Sequence, residues 1–80
     1  MTGDIRQRLL AQPFLPFVVH TADGREYNVP TPDHTHVYPS GGRVSIFTDD
    51  DREFILPGLL ISGLMVHANG QGGKQGRDPG

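Results

Sequence analysis

Three residues of metal-binding types lie close together in the sequence, at Asp33, His34 and His36. In an extended segment the two imidazoles would lie on one face, and Asp33 would complete a two-histidine, one-carboxylate set of the kind that binds Zn, Fe or Ni. The sequence specifies no distant ligand, and short polar loops produce this spacing by chance. We therefore interpret the two histidines as exposed loop residues and predict no metal ion and no other cofactor.

The other residues that could do chemistry lack the partners that their chemistry needs. His20 and Tyr27 could act as an acid–base pair only inside a pocket, which a domain of this size seldom encloses. The aspartates at 49–51 suggest calcium, but an EF-hand loop needs a glutamate at its twelfth position, where Leu60 stands. We therefore predict that the protein is not an enzyme and has no catalytic residues.

The composition predicts one small folded domain. Hydrophobic residues make up 35% of the 80 residues. Leu, Ile, Val and Phe together account for 21 of the 80 residues, about a quarter, and chains tend to stay disordered when this fraction falls below roughly 20%. A chain this short buries only about 60% of its unfolded surface, so self-association would add stability. The longest apolar stretch, residues 55–66, is too short for a membrane-spanning helix, which needs about 20 residues, and no signal-peptide pattern is expected at the N-terminus.

The charge and the cysteine count narrow the choice of partners and compartment. Seven Lys and Arg against nine Asp and Glu give a formal net charge of −2. This balance would repel a polyanion and argues against a nucleic-acid partner. The chain has no cysteine and hence no disulfide framework of the kind that stabilises small secreted domains. We therefore predict a cytoplasmic protein.

The first element that the sequence predicts is a short amphipathic helix over residues 3–11. Ile5, Leu9 and Leu10 fall on one side of this helix, while charged side chains face water. Pro13 ends it. Because isolated helices shorter than about 12–15 residues are marginal in water, the apolar side is expected to dock on the rest of the chain.

A β-hairpin is predicted next, over residues 14–29. Two β-prone runs flank the Asp-Gly pair at 23–24, which readily supplies positive φ in a tight turn. With a two-residue loop, His20 would face Tyr27. One added bulge residue would instead bring to the inner face the set Phe17, Val19 and Thr21. The sequence leaves both registers open.

Further short strands are predicted over residues 35–38, 43–48, 53–56 and 59–66. The predicted fold class is therefore α+β and mainly β, with a short N-terminal helix packed on a curled antiparallel sheet, or a small open barrel, of about five strands. Residues 1–68 are predicted to form this single domain. Residues 69–80 are rich in Gly and contain no apolar residue, so we expect a flexible tail there.

Three segments of the sequence resemble a known family. They are QPFLPF at residues 12–17, ADGREY at 22–27 and VPTPD at 29–33. With a later Gly-Arg-Val strand, they resemble a family of short, uncharacterised bacterial proteins of similar length. That family usually lacks the Gly-rich tail. The resemblance implies no assigned activity.

The element order is also similar to the Sm-like fold, in which a helix, a strand, a tight turn, a second strand and three more short strands follow one another. Sm-like proteins assemble into rings and bind RNA, so this resemblance implies a ring and an RNA partner. The basic side chains that Sm-like proteins place in a late loop are missing here, since residues 53–58 contain neither Lys nor His. Likeness of fold alone says little about function.

The apolar segments predict where another protein would bind. Residues 59–66 are apolar on both faces, and such a strand at a sheet edge gains backbone hydrogen bonds by pairing with another chain. The prolines at 13 and 16 favour an extended backbone that could present the phenylalanines beside them to a partner, although a segment of this kind more often packs over its own core. The candidate interface residues are Leu59, Ile61, Leu64, Val66, Phe14 and Phe17. We therefore predict a small non-enzymatic module that binds itself or another protein through an exposed strand edge.

Overall fold

The computed structural model describes residues 2–67, so the tail predicted for residues 69–80 lies outside the described residues. The elements are helix α1 (Thr2–Leu10) and strands β1 (Phe17–Thr21), β2 (Glu26–Val29), β3 (Thr35–Val37), β4 (Arg43–Phe47), β5 (Glu53–Pro57) and β6 (Ile61–Val66). Two 3₁₀ turns, Pro32–His34 and Gly58–Leu60, precede β3 and β6. Within residues 2–67, no helix is both long and apolar enough to cross a membrane.

Within the described residues, the strands form two antiparallel sheets of three strands each. Sheet A has the order β2-β1-β6, and sheet B has the order β3-β4-β5. The predicted α+β class, mainly β with one N-terminal helix, is confirmed. The prediction of one curled sheet or barrel of about five strands is wrong. Pro30 and Pro32 separate β2 from β3, because proline lacks the N–H that continued strand pairing would need.

The hairpin of β1 and β2 has the longer of the two loops that the sequence left open. Val19 lies opposite Tyr27, and residues 22–24 form a three-residue loop. The extra residue turns alternate residues of β1 to the inner face, where they are buried: Phe17, Val19 and Thr21. Of the two registers that the sequence leaves open, the structure therefore has the one with an added bulge residue.

The hydrophobic core is shared by the helix and both sheets. Its buried members are Ile5, Phe17, Val19, Val29, Val44, Ile46, Leu56 and Ile61. On β2, β4 and β5, core residues alternate with residues that face away from the core, as the period of two in a strand requires. Because strands of both sheets contribute, packing in this core fixes how the two sheets meet.

Helix α1 attaches to the sheets through few side chains. Ile5 is its only buried residue, whereas Leu10, which the sequence places on the docked side, is 78% exposed. The Arg6 guanidinium donates from Nη2 to the carbonyls of Tyr38 at 2.7 Å and Pro39 at 3.2 Å. The helix is therefore held by Ile5 in the core, by the partly buried Leu9 packed against the core, and by the hydrogen bonds of Arg6.

Candidate functional site

The three candidate metal ligands are not brought together. The ring of His36 lies on β3, 5.2 Å from the ring of Tyr38, and Asp33 is exposed in the first 3₁₀ turn. Both ring nitrogens of His34 have protein partners. Among residues 2–67, no group of three or more His, Asp or Glu side chains is placed to hold a metal ion.

His34 instead joins two loops. Its Nδ1 lies 2.8 Å from Thr31 Oγ1, and its Nε2 lies 2.8 Å from Asp49 Oδ1. A hydroxyl, an imidazole and a carboxylate in one hydrogen-bonded chain also activate nucleophiles in enzymes, where the orienting carboxylate is buried. Here the Asp49 side chain is 91% exposed. The chain of contacts therefore links the loop after β2 to the turn between β4 and β5.

His20 and Tyr27, the other pair considered for acid–base chemistry, lie on opposite faces of sheet A. Tyr27 packs against the core and lies opposite Val19 of β1. Because side chains alternate along a strand, His20, which follows Val19, points to the outer face of sheet A. There the His20 Nδ1 lies 3.7 Å from Glu26 Oε2. The two side chains are thus separated by the sheet.

Two turns of the chain have the same pattern of hydrogen bonds. The first of these turns joins β1 to β2. The Thr21 N–H donates to the Arg25 carbonyl at 3.0 Å, and the Gly24 N–H donates to the Thr21 carbonyl at 3.0 Å. The Thr21 hydroxyl donates to the Asp23 carboxylate, which lies 3.5 Å from the Arg25 guanidinium. Gly24 has φ of 87°, as expected for the left-handed residue of a three-residue hairpin loop.

The second turn, between β4 and β5, repeats these contacts 27 positions later in the sequence. The Thr48 N–H donates to the Arg52 carbonyl at 2.9 Å, and the Asp51 N–H donates to the Thr48 carbonyl at 3.1 Å. The Thr48 hydroxyl donates to the Asp50 carboxylate, and the Arg52 Nε lies 3.1 Å from that carboxylate. The left-handed position is held by Asp51, with φ of 68°. The shared pattern is therefore Thr-x-Asp-x-Arg.

The threonine hydroxyls lower the pKa of the Asp23 and Asp50 carboxyls. In each turn the hydrogen bond from the threonine side chain is the largest cause, and the neighbouring arginine adds to the effect. Both interactions favour the ionised carboxylate. Since the folded-state pKa lies below the ordinary value of 3.8, the stabilisation is complete above that value and is lost as the pH falls through the lowered pKa.

Exchanging residue types at the left-handed positions of the two turns should change stability in opposite directions. Asp51→Gly is expected to raise the free energy of unfolding by about 0.5–1 kcal/mol, because a side chain at this φ carries a steric cost that glycine avoids. Gly24→Ala is expected to lower it by about 1 kcal/mol. A Cβ at Gly24 would meet no atom within 4 Å, so the loss reflects backbone conformation alone. Urea denaturation measures both. A neutral Gly24→Ala together with a destabilising Asp51→Gly would contradict this account.

A groove of about 610 Å³ lies between β2 and the β4–β5 hairpin. On one side it is lined by Arg25, Glu26, Tyr27, Asn28 and Pro30, and on the other by His34, Ile46, Phe47, Thr48, Asp49, Arg52 and Phe54. Five of the lining residues come from residues 25–30, on both faces of β2, so the groove follows the open edge of that strand. Its volume lies within the range of ligand-binding clefts, roughly 300–1,000 Å³.

Two aromatic rings line the groove where the two sheets meet. The rings of Tyr27 and Phe54 lie 5.3 Å apart with their planes tilted by 57°, a favourable geometry for aromatic pairs. The Arg52 guanidinium lies 5.5 Å from the centre of the Phe54 ring. The groove therefore offers an apolar surface with charged groups beside it.

The predicted interface residues differ in how much surface they expose. Leu59, in the second 3₁₀ turn, is fully exposed, whereas Phe17 and Ile61 are buried in the core. The remaining three, Phe14, Leu64 and Val66, are half-buried and pack against the core. In the folded chain, Leu59 thus has the most surface to offer a partner.

Among residues 2–67, strand β6 lies at the edge of sheet A. Two large hydrophobic strand residues outside the predicted interface set are also exposed: Ile55 on β5 is 51% exposed, and Met65 on β6 is 50% exposed. Along each strand they alternate with core residues, Leu56 and Leu64, so that period-two pattern was the signal that could have identified them.

No protein-family model matches this chain, and neither the curated proteins nor the solved structures searched contain a match.

The sequence also contained one signal that points to the groove. The Thr-x-Asp-x-Arg pattern occurs at 21–25 and again at 48–52, and both arginines line the groove. The pairing of Tyr27 with Phe54 has no comparable signal, because it arises only when the two hairpins pack together.

Proposed function

We propose that this chain is a small, non-enzymatic cytoplasmic module that binds itself or another protein by pairing the open edge of strand β6 with an extended strand of the other chain. The observation that carries the proposal is that, within the part of the chain that the structure describes, β6 lies at the edge of sheet A with β1 as its neighbour. An edge strand with unpaired backbone groups is a template for another strand.

The register of β6 supports the proposal. The His67 N–H donates to the Pro16 carbonyl at 2.9 Å. Residues of an antiparallel strand alternately direct their backbone groups toward one neighbour and away from it. The N–H and C=O groups of Leu64 and Val66 therefore point away from β1, on the side where another strand would add.

Exposed apolar side chains lie close to this edge in the sequence. Ile55, Leu59 and Met65 are between 50% and 101% exposed. Burying such surface against a partner stabilises a complex by roughly 25 cal/mol per Å² of apolar area. Strand pairing would supply the direction of binding, and these side chains would add the hydrophobic contribution.

Met65→Lys is the sharpest test of the β6 edge. We expect the native chain to show a mass that rises with concentration in sedimentation, and the variant to associate at least about tenfold more weakly, a change of about 1.4 kcal/mol. A lysine on an edge strand opposes pairing with another chain, while its methylene stem still covers Val18, the cross-strand neighbour of Met65.

Asn28→Lys is the matched control. Asn28 and Met65 are both cross-strand partners of Val18 and lie on the same face of sheet A at its two opposite edges. Association should therefore survive Asn28→Lys. Pairing at β6 would be refuted if the native chain stayed monomeric at every concentration and bound no peptide in extended conformation. Equal weakening of association by Met65→Lys and Asn28→Lys would refute it as well.

A ring-forming RNA-binding protein of the Sm-like type is the second candidate. It is favoured by one observation, since β5 and β6 are edges of two different sheets in the same chain. Head-to-tail pairing of β5 with the β6 of the next copy would close a ring or extend a filament. Titration of labelled RNA at two salt concentrations separates the candidates, because phosphate contacts give a steep salt dependence that a protein–protein module lacks.

A further inference from the structure

The open edge of β2 directs backbone groups toward the groove. The Thr21 N–H donates to the Arg25 carbonyl, and β1 pairs with β2 in the register that places Phe17 opposite Val29. The alternation of an antiparallel ladder then turns the N–H and C=O groups of Glu26 and Asn28 away from β1. Both residues line the groove, so its β2 side offers donors and acceptors for one more strand.

The far side of the groove is the β4–β5 hairpin, which limits what fits. A segment lying between β2 and this hairpin has a wall on each side, so a single extended peptide fits there better than the edge of a second sheet. The four residues of β2 span about 13 Å at the usual rise of a strand. The occupant would therefore pair over about four residues and pack some of its side chains against Tyr27 and Phe54.

The charges of the groove select the chemistry of that peptide. Arg25 and Arg52 are each matched by an aspartate of their own turn, Asp23 and Asp50. Two further carboxylates line the groove, those of Glu26 and Asp49. Among residues 2–67, the ionisable groups that contact these two are histidines, His20 and His34. Counting the two arginines with their partner aspartates leaves an excess of two carboxylates at the groove, which attracts cationic side chains.

We propose that this groove binds a basic peptide segment in extended conformation, paired with the edge of β2. Its apolar side chains pack against Tyr27 and Phe54, and its lysine or arginine side chains, which alternate with the apolar ones along the strand, pair with the carboxylates of Glu26 and Asp49. This site is separate from the β6 edge, because β2 and β6 lie on opposite sides of β1.

Fluorescence anisotropy with labelled hexapeptides tests the proposal. A peptide of alternating lysine and valine should bind saturably, whereas one of alternating glutamate and valine should not. The double variant Glu26→Gln with Asp49→Asn should weaken binding of the lysine peptide at least about tenfold. Glu53→Gln is the matched control, because Glu53 is an exposed carboxylate on β5 that does not line the groove, and it should leave the affinity unchanged.

The strand-pairing part of the proposal needs its own probe. A lysine–valine peptide with methylated backbone nitrogens keeps the charges but cannot pair with β2, and it should bind at least about tenfold more weakly. Asn28→Pro, which removes an N–H that points away from β1, should have the same effect while the far-ultraviolet circular dichroism stays that of the native chain. If Asn28→Pro does not fold, the methylated peptide still decides the question.

Several results would overturn the proposal. They are equal binding of the lysine and glutamate peptides, unchanged affinity in the double variant, equal binding of the methylated peptide, and displacement of the lysine peptide by a second copy of the chain. Repeating the titration with Met65→Lys keeps this test apart from that of the β6 edge. The variant should bind the lysine peptide normally even though its association through β6 is weakened.

Discussion

Replacing Phe17 with alanine is expected to lower the free energy of unfolding by about 3–5 kcal/mol, the usual cost of removing a buried phenylalanine. Phe17 is 1% exposed and lies on β1, the central strand of sheet A, between Val29 of β2 and Val66 of β6. Its ring also lies 6.0 Å from that of Phe14. A loss of this size is comparable with the whole stability of a domain of this length, so much of the variant should be unfolded without denaturant.

Urea denaturation followed by circular dichroism measures this effect, and Leu59→Ala serves as its control. Leu59 is fully exposed, so its truncation should change the free energy of unfolding by less than about 0.5 kcal/mol. A Phe17→Ala variant that loses under about 1 kcal/mol would mean that Phe17 is not part of the core. In that case it would again be available as an interface residue.

Ile5→Ala is expected to lower the free energy of unfolding by about 2–4 kcal/mol. Ile5 is fully buried and is the only buried residue of α1. A helix of nine residues is too short to persist without its tertiary contacts, since isolated helices need about 12–15 residues. Amide hydrogen exchange should therefore show α1 unprotected in this variant, while the strands keep part of their protection.

Leu10→Ala separates this docking effect from helix propensity. Leu10 lies in the same helix but is 78% exposed, so its truncation removes little buried surface and should cost under about 0.5 kcal/mol. Equal losses for Ile5→Ala and Leu10→Ala, or protected α1 amides in Ile5→Ala, would show that the helix is held by contacts other than Ile5.

Local elements of this fold follow from local sequence signals. Apolar spacing and a proline placed the helix over residues 3–11, within one residue of its observed ends at Thr2 and Leu10. The strands over 43–48 and 53–56 were located within one residue at each end, because turn residues bound them. The last strand begins at Ile61 rather than at residue 59, since Gly58–Leu60 forms a 3₁₀ turn that an apolar pattern does not reveal.

The arrangement of the strands could not be predicted in the same way. Whether β2 and β3 join into one long strand depends on the geometry of Pro30 and Pro32, and residues 30–34 form a break between two sheets instead. The groove was also beyond sequence reasoning, because it forms between elements distant in the chain, with Tyr27 on one side and Phe54 on the other. The contact of His34 with Asp49 depends on the same packing of one hairpin against another.

The pairing of β1 with β6, the first and last of the described strands, has a consequence for biosynthesis. Sheet B is built from consecutive strands and sheet A is not, since β1 must wait for β6 before its second side is paired. A nascent chain still attached to the ribosome can form the β3-β4-β5 meander early, because local contacts form fastest. Sheet A is completed only after residue 66 has left the exit tunnel, so until then the second edge of β1 stays open to proteases and chaperones.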